Sequence, residues 1–374
     1  MPHGELTGIA PQQVVRASGG SFSIDVGDEL LGRVIDGFGH PLDGLSEVHT
    51  ADSRDVRRSA PDALSRPPIC EPLQTGVRSI DAMNTLGRGQ RLGIFAGSGV
   101  GKSSLLAQIT RGTDADVVVV CLVGERGREV RSFVDEVLGV EGKGKATLVV
   151  ATSDRPPIER YMAPFVAMTV AEHFRDQGKN VLIVMDSVTR FAAACREIGL
   201  AAGEPPTVRG YPPSFFATVP KLIERMDPGR TEKGSITGLL TILLDGDDPN
   251  EPVADTLRGL LDGHIFLNRE LAQAGHFPAV DVLASLSRLM PSLATPEHMA
   301  QASKLREWLS AWRDGKDLVE IGAYAEGTNA KLDAAVMRMP VIDAFLKQAS
   351  NENTQFDESL ELLDLVTADH EHAS

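Results

Sequence analysis

The stretch LGIFAGSGVGKSSLL, residues 92–106, decides how the rest of the sequence is read. A short apolar run leads into Ala96-Gly97-Ser98-Gly99-Val100-Gly101-Lys102-Ser103, and KSSLLAQITR continues as a helical pattern. The glycines let successive backbone N–H groups curl around phosphate oxygens at the start of a helix whose dipole favours an anion. Gly97, Ser98, Gly99, Val100, Gly101, Lys102, Ser103 and Ser104 then form the phosphate-binding segment. Lys102 reaches the β and γ phosphates and Ser103 ligates Mg²⁺. The strict pattern has Gly where this sequence has Ala96, a position that precedes the phosphate-wrapping part. Such a loop names a ligand, not an activity.

Outward from the loop, LGIFA, VVVVCLV, ATLVVA, VLIVMD, GLLTILL and HIFL alternate with helical stretches. Short apolar runs of this kind predict the strands of a buried, mainly parallel sheet, and hence an α/β core. Before it, residues 1–45 are rich in Gly and Asp, with the β-like pieces SFSIDV and LLGRVI set between the turn sequences VGDE and DGFGHPLDG. Beyond it, TPEHMAQASKLREWLSAWRD opens with Thr295 as cap and Pro296 as first-turn proline. A small helical domain is expected to close the chain. In its last part Phe356, Leu360 and Leu363 recur at helical spacing, which predicts a final amphipathic helix with a solvated acidic end. The expected division is 1–45, 46–295 and 296–374.

Composition limits the function classes. A chain of 374 residues with 42% hydrophobic content can bury a sizeable core. Its 37 Lys and Arg against 52 Asp and Glu give a net charge of -15, which opposes broad contact with a phosphate backbone, so no nucleic-acid partner is expected. Cys70, Cys121 and Cys195 show neither a CxxC pair nor metal-ligand spacing, which fits a reducing cytoplasm. The opening MPHGELTGIAPQQ has no basic head leading into an apolar stretch, and the longest strongly apolar run, residues 117–123, is too short to cross a bilayer.

Two acid-ended runs accompany the loop. In VVVVCLVGERGREVRSF, Glu125 comes just after an apolar strand and is a candidate to polarise a water for in-line attack on the γ phosphorus. Glu125 and Glu129 equally suit first-turn acids that favour the dipole of the next helix. In VLIVMDSVTRFA, Asp186 ends a strand, where an acid either caps the next element or holds a metal's water shell. Arg190, four residues on, reaches the γ phosphate or pairs with a surface acid.

With these elements in place the sequence resembles the hexameric ATPases of type III protein export, relatives of the rotary ATP synthase catalytic subunits. The likeness runs from about residue 21 to 348 and rests on EPLQTGVRSIDAMNTLGRGQRLGIFAGSGVGKS, LVGERGREVRSFVDEVLG, MDSVTRFA, GYPPSFFATVPKLIER, GSITGLLTILLDGDDPNEPVADTLRGLLDGHIFLNREL and FPAVDVLASLSR. The wording AGSGVGKS resembles the flagellar branch more than the injectisome branch. The resemblance implies a RecA-like core that binds ATP with Mg²⁺. It makes Glu125 the catalytic base with Arg126 beside it, and Asp186 the magnesium-shell acid. It places Phe277 where the family stacks an aromatic on adenine, and Arg288 where it puts an arginine finger that reaches a neighbouring subunit. By their residue types alone, Phe277 suits a core aromatic and Arg288 a surface ion pair.

The implied setting is a homohexameric ring in the cytoplasm, peripheral at the inner-membrane export apparatus, working with chaperones, export substrates, stalk and regulatory subunits and a membrane gate. The family also carries a small β-barrel ahead of the nucleotide domain, of which this sequence holds the last strand, SFSIDV, and the linker. An injectisome ATPase, a catalytic subunit of a proton-driven synthase, a non-catalytic ring subunit and an RNA-dependent ring helicase share parts of this core. The presence of Glu125 disfavours the non-catalytic subunit, and the net charge of -15 disfavours the helicase.

Overall fold

The structure, a computed structural model, describes residues 10–14, 16–17, 19–50, 52–137, 144–229, 234–244, 246, 248 and 251–368; the opening residues 1–9 and the acidic end 369–374 lie outside them. Short 3₁₀ turns aside, the elements up to the first helix of the phosphate loop are β1 (Ser23–Val26), β2 (Val34–Asp36), β3 (Asp52–Asp55), β4 (Pro72–Leu73), α1 (Arg78–Asp81), β5 (Leu86–Gly87), β6 (Arg91–Ala96) and α2 (Lys102–Gly112). Next along the chain are β7 (Val117–Val123), α3 (Gly127–Val137), β8 (Ala146–Ala151), α4 (Pro157–Asp176), β9 (Val181–Asp186), α5 (Val188–Ala201), α6 (Pro213–Ile223), β10 (Ile236–Leu243) and α7 (Pro252–Leu260). The last group is β11 (Gly263–Leu267), α8 (Arg269–Gln273), β12 (Val280–Ser287), α9 (Met290–Leu293), α10 (Pro296–Glu320), α11 (Ala330–Leu346) and α12 (Phe356–Thr367). The chain divides into two compact units: residues 1–68, 89–93 and 115–260 form the first, and 69–88, 94–114 and 261–374 the second.

In the first unit the strands lie in the order β6-β10-β9-β7-β8-β2 and run parallel from β10 to β2. Every residue of β7, VVVVCLV, is buried. A Val-rich run with no charged or strongly polar side chain suits a strand covered on both faces, and each buried Val or Leu contributes about 1.5–3 kcal/mol. Helix α4, opened by Pro157, packs along β7, β8 and β9. The two N-terminal β-like pieces go to different sheets: SFSIDV supplies β1, antiparallel to β3, whereas LLGRVI supplies β2, parallel to β8. Buried ion pairs tie α4 to the segment between α6 and β10, with Arg225 on Glu172 at 2.8 Å and on the Val56 carbonyl, and Arg175 on Asp227 at 3.0 Å. Removing one member of such a pair leaves a buried charge without its partner, the costly case for buried ions.

In the second unit the order is β12-β11-β6, with β12 antiparallel to β11 and a register shift between His264 and Phe266. Thr295 caps α10 as its sequence predicts, accepting the His298 N–H at 3.2 Å with Pro296 in the first turn. Helices α10, α11 and α12 pack together, Trp308 of α10 lying under the Arg338 guanidinium of α11 at 4.4 Å. Helix α1 packs against α11 and α12, and its last residue, Asp81, is wholly buried and accepts from Thr75 N, Thr75 Oγ1 and Gly76 N at 2.7–2.9 Å. Burial raises its carboxyl to about 7 against the pull of those three donors. Among the described residues no helix is long and apolar enough to cross a membrane.

Candidate active site

The phosphate loop belongs to the second unit. Ala96 is the last residue of β6 and fully buried, so its methyl sits in the strand and outside the curl. Gly99 and Gly101 take left-handed φ values of 79° and 92°, the conformation that turns consecutive N–H groups to one side. Gly101 has a second reason to lack a side chain: a Cβ there would meet two ring carbons of Phe277 at 3.3 Å. Gly101 is also the N-cap of α2, and no side chain caps that 11-residue helix. Its first-turn N–H groups are aimed at the space an anion would take. Ser98, Ser103 and Ser104 are exposed, Lys102 is half-buried, and Gly97 and Val100 are buried.

Phe277 reaches the loop from the turn between α8 and β12 and is 46% exposed, so one side of its ring is backed by Gly101 and much of the rest is open. This is not the environment of a core aromatic. One contact escaped the sequence reading altogether: Arg269, the first residue of α8, donates from Nη1 to the Ser98 carbonyl at 3.1 Å. In a loop whose N–H groups turn inward the carbonyls turn outward, and a guanidinium on one of them fixes the curl from behind. Arg288 comes directly after β12, is exposed, and its N–H donates to the Asp262 carbonyl at 3.0 Å.

The acids belong to the first unit, at the ends of adjacent parallel strands β7 and β9. Beyond β7, Gly124 has φ 71°, and a Cβ on it would lie 2.8 Å from the Cβ of Arg190. That close approach brings Arg190 against the turn that carries Glu125. Glu125 is half-buried, and its carbonyl accepts the Ser153 N–H at 3.0 Å. Arg126 is exposed and lies 3.4 Å from Glu129, which stands in the first turn of α3. Asp186 ends β9 almost completely buried, accepting the Thr241 hydroxyl at 2.7 Å, and is joined to Ser187 by a cis peptide. Ser187 caps α5 through the Arg190 N–H at 3.3 Å, so Asp186 itself is not the cap. Burial pushes the Cys121 thiol far above its ordinary value, with the Asp186 charge adding to the shift; that thiol is inert.

Glycine-shaped phosphate loop, uncapped helix and acid-ended parallel strands define a P-loop nucleotide-binding protein. Comparison with known proteins makes this narrower. The nucleotide-binding domain of the ATP synthase alpha/beta family matches residues 76–287, and the EscN-type C-terminal domain of type III secretion ATPases matches residues 294–364. The flagellum-specific ATP synthase of Bacillus subtilis is 51% identical over 99% of this chain and 84% of its own length. The type 3 secretion system ATPase of Xanthomonas euvesicatoria is 47% identical over 98% of this chain and 83% of its own length. The assembled ATPase EscN of the enteropathogenic E. coli type III secretion system superposes with a TM-score of 0.94 at 44% identity, covering 98% of this chain and 89% of that one. The chain belongs to the ATP synthase alpha/beta family and, within it, to the type III export ATPases.

Proposed function

We propose that this chain hydrolyses ATP to ADP and phosphate, with Mg²⁺, and that the hydrolysis energises type III protein export, the flagellar branch being the better supported by the 51% identity to the Bacillus subtilis protein. The observation that carries the proposal is the phosphate loop, whose left-handed glycines lead into the uncapped start of α2. Gly97 through Ser104 hold the phosphates by backbone N–H groups and Lys102 supplies a mobile cation to the β and γ oxygens. Phe277 offers its open ring to adenine. Glu125 takes a proton from the attacking water, and Arg126 and Arg190 supply positive charge beside it.

Ser103 and the buried Asp186, whose carboxylate accepts the Thr241 hydroxyl, are hard oxygen donors of the kind Mg²⁺ takes in small number alongside water and phosphate. When bound, the ion neutralises charge on the phosphate oxygens. Arg288 acts in trans on a neighbour's nucleotide, so the working form is a homohexameric ring. We place the ring at the inner-membrane export apparatus, with residues 46–295 carrying the nucleotide chemistry and with stalk, chaperone and substrate partners. A complex of assembled EscN with its central stalk supports the stalk partner by analogy.

Two substitutions test the nucleotide grip. Lys102→Ala is expected to weaken MgATP by roughly tenfold or more, the loss of a charge-assisted contact; wild-type affinity for a fluorescent ATP analogue would remove the phosphate-loop assignment. Phe277→Ala is expected to weaken ATP roughly tenfold, within the range of aromatic–base stacking, whereas Phe277→Tyr keeps the ring and the affinity. Equal effects of the two changes, or loss of the fold in the alanine protein, contradict the adenine role.

A further inference from the structure

We propose that Gln348 is a positioning residue of the nucleotide site: with the connector between α11 and α12, residues 347–355, it fixes the spacing between the phosphate-loop helix and the aromatic platform at Phe277. The inference rests on the reading of Phe277 as the base platform and adds what holds that platform in place.

The open ring of Phe277 has no closely packed core around it, so its place is set by its backbone. One side of that turn is held by the neighbouring His276, whose N–H donates to the Leu271 carbonyl at 2.9 Å. The carbonyl of Phe277 itself accepts the backbone N–H of Gln348 at 2.8 Å. Gln348 is in turn anchored by a buried side chain. Its Oε1 accepts the Arg78 N–H at 3.0 Å, and its Nε2 lies 2.8 Å from the Gly76 carbonyl, 3.1 Å from that of Glu352 and 3.2 Å from Thr354 Oγ1. A primary amide has two N–H groups, so both are occupied and the residue is locked at every polar atom.

The same connector is fastened to α2. Gln108, buried on that helix, donates from Nε2 to the Glu352 carbonyl at 2.9 Å and lies 3.2 Å from the Ala349 carbonyl. One turn on, Arg111 Nη2 donates to the Ser350 carbonyl at 2.7 Å. Helix α2 opens at Lys102, which serves the phosphates. The connector therefore touches the phosphate half of the site through Gln108 and Arg111, and the base half through Gln348. It acts as a spacer matched to the distance from phosphates to base. Replacing the Gln348 amide by an apolar side chain leaves the Arg78 N–H unpaired in a buried place and takes one of two donors from the Gly76 carbonyl, which keeps the Thr354 N–H, a cost that the connector can lower only by moving. Such a move carries the Phe277 carbonyl with it and leaves the phosphate loop where it is.

The test uses the full chain and two ligands: ATP, and inorganic tripolyphosphate, which has the phosphates without the base. Gln348→Met, nearly isosteric, is expected to raise KM for ATP roughly fivefold, the low end of base stacking, with kcat within about twofold. The inhibition constant of tripolyphosphate stays at the wild-type value, and the change adds nothing to Phe277→Ala. Equal weakening of ATP and tripolyphosphate, or full additivity with Phe277→Ala, means general loosening and overturns the proposal. If Gln348→Met does not fold, Thr354→Val loosens the same amide with little change of volume and is expected to show the same pattern at smaller size; an unchanged KM there overturns it as well. An unchanged KM in Phe277→Ala removes the platform reading itself, whereas a raised KM in Phe277→Ala beside an unchanged KM in Gln348→Met removes only the role of Gln348.

Discussion

Arg288→Ala is expected to lower turnover by roughly 10³ to 10⁵, the contribution of an arginine that neutralises charge on a transferring phosphoryl group. The size comes from the chemistry: the γ phosphoryl passes through a loose transition state, and the protein's part is to place positive charge where its oxygens gather negative charge. Arg288 stands exposed at the end of β12, outside any core. Under the proposed role in trans, each site is complete only when a second copy docks, so specific activity should rise with protein concentration. Mixing gives a sharper reading. The Arg288→Ala and Lys102→Ala proteins, each nearly inactive alone, should regain part of the activity together, since a mixed interface can join an intact loop to an intact finger. Concentration-independent turnover with no rescue on mixing would make Arg288 structural or assign it to its own subunit.

Glu125→Gln is expected to keep nucleotide binding and lower turnover by at least roughly 10², the range for losing general-base help. The amide preserves shape and hydrogen bonding but cannot take the proton of the attacking water. The half-buried position of Glu125 directly beyond β7, beside a glycine that admits Arg190, is what separates it from Glu129, which lies near Arg126 on α3. Phosphate release at a near-normal rate in Glu125→Gln, with fluorescent-nucleotide affinity unchanged, would move the base to another residue, Glu129 first.

Local demands are what a sequence shows most plainly. The all-apolar β7 and the glycine spacing from Gly97 to Gly101 define their structures within a few residues, because burial on both faces and left-handed φ are imposed locally. Strand β12 escaped that reading. Its polar residues Asp281, Ser285 and Ser287 break the apolar run, and the strand buries Ser285 and Ser287 while exposing Leu286, a pattern that only its pairing with β11 and the bond from Ser287 Oγ to the Thr85 carbonyl make intelligible. The contacts of Arg269 with Ser98 and of Gln348 with Gly76 join residues 171 and 272 positions apart, so no window of sequence contains them. Asp186 was legible as an acid at a strand end. That Ser187 takes over the capping while the carboxylate accepts from Thr241 is visible only when β10 lies beside β9.

Inorganic phosphate release is the decisive readout for a loop at residues 97–104 that feeds ATP to a hydrolytic site. The purified chain, concentrated enough to assemble and given ATP with Mg²⁺, should release phosphate steadily; the release should stop when the metal is chelated and should be absent from the Lys102→Ala protein under the same conditions. No release at any protein concentration, or equal release by the wild-type and Lys102→Ala proteins, would rule out hydrolysis fed by this loop.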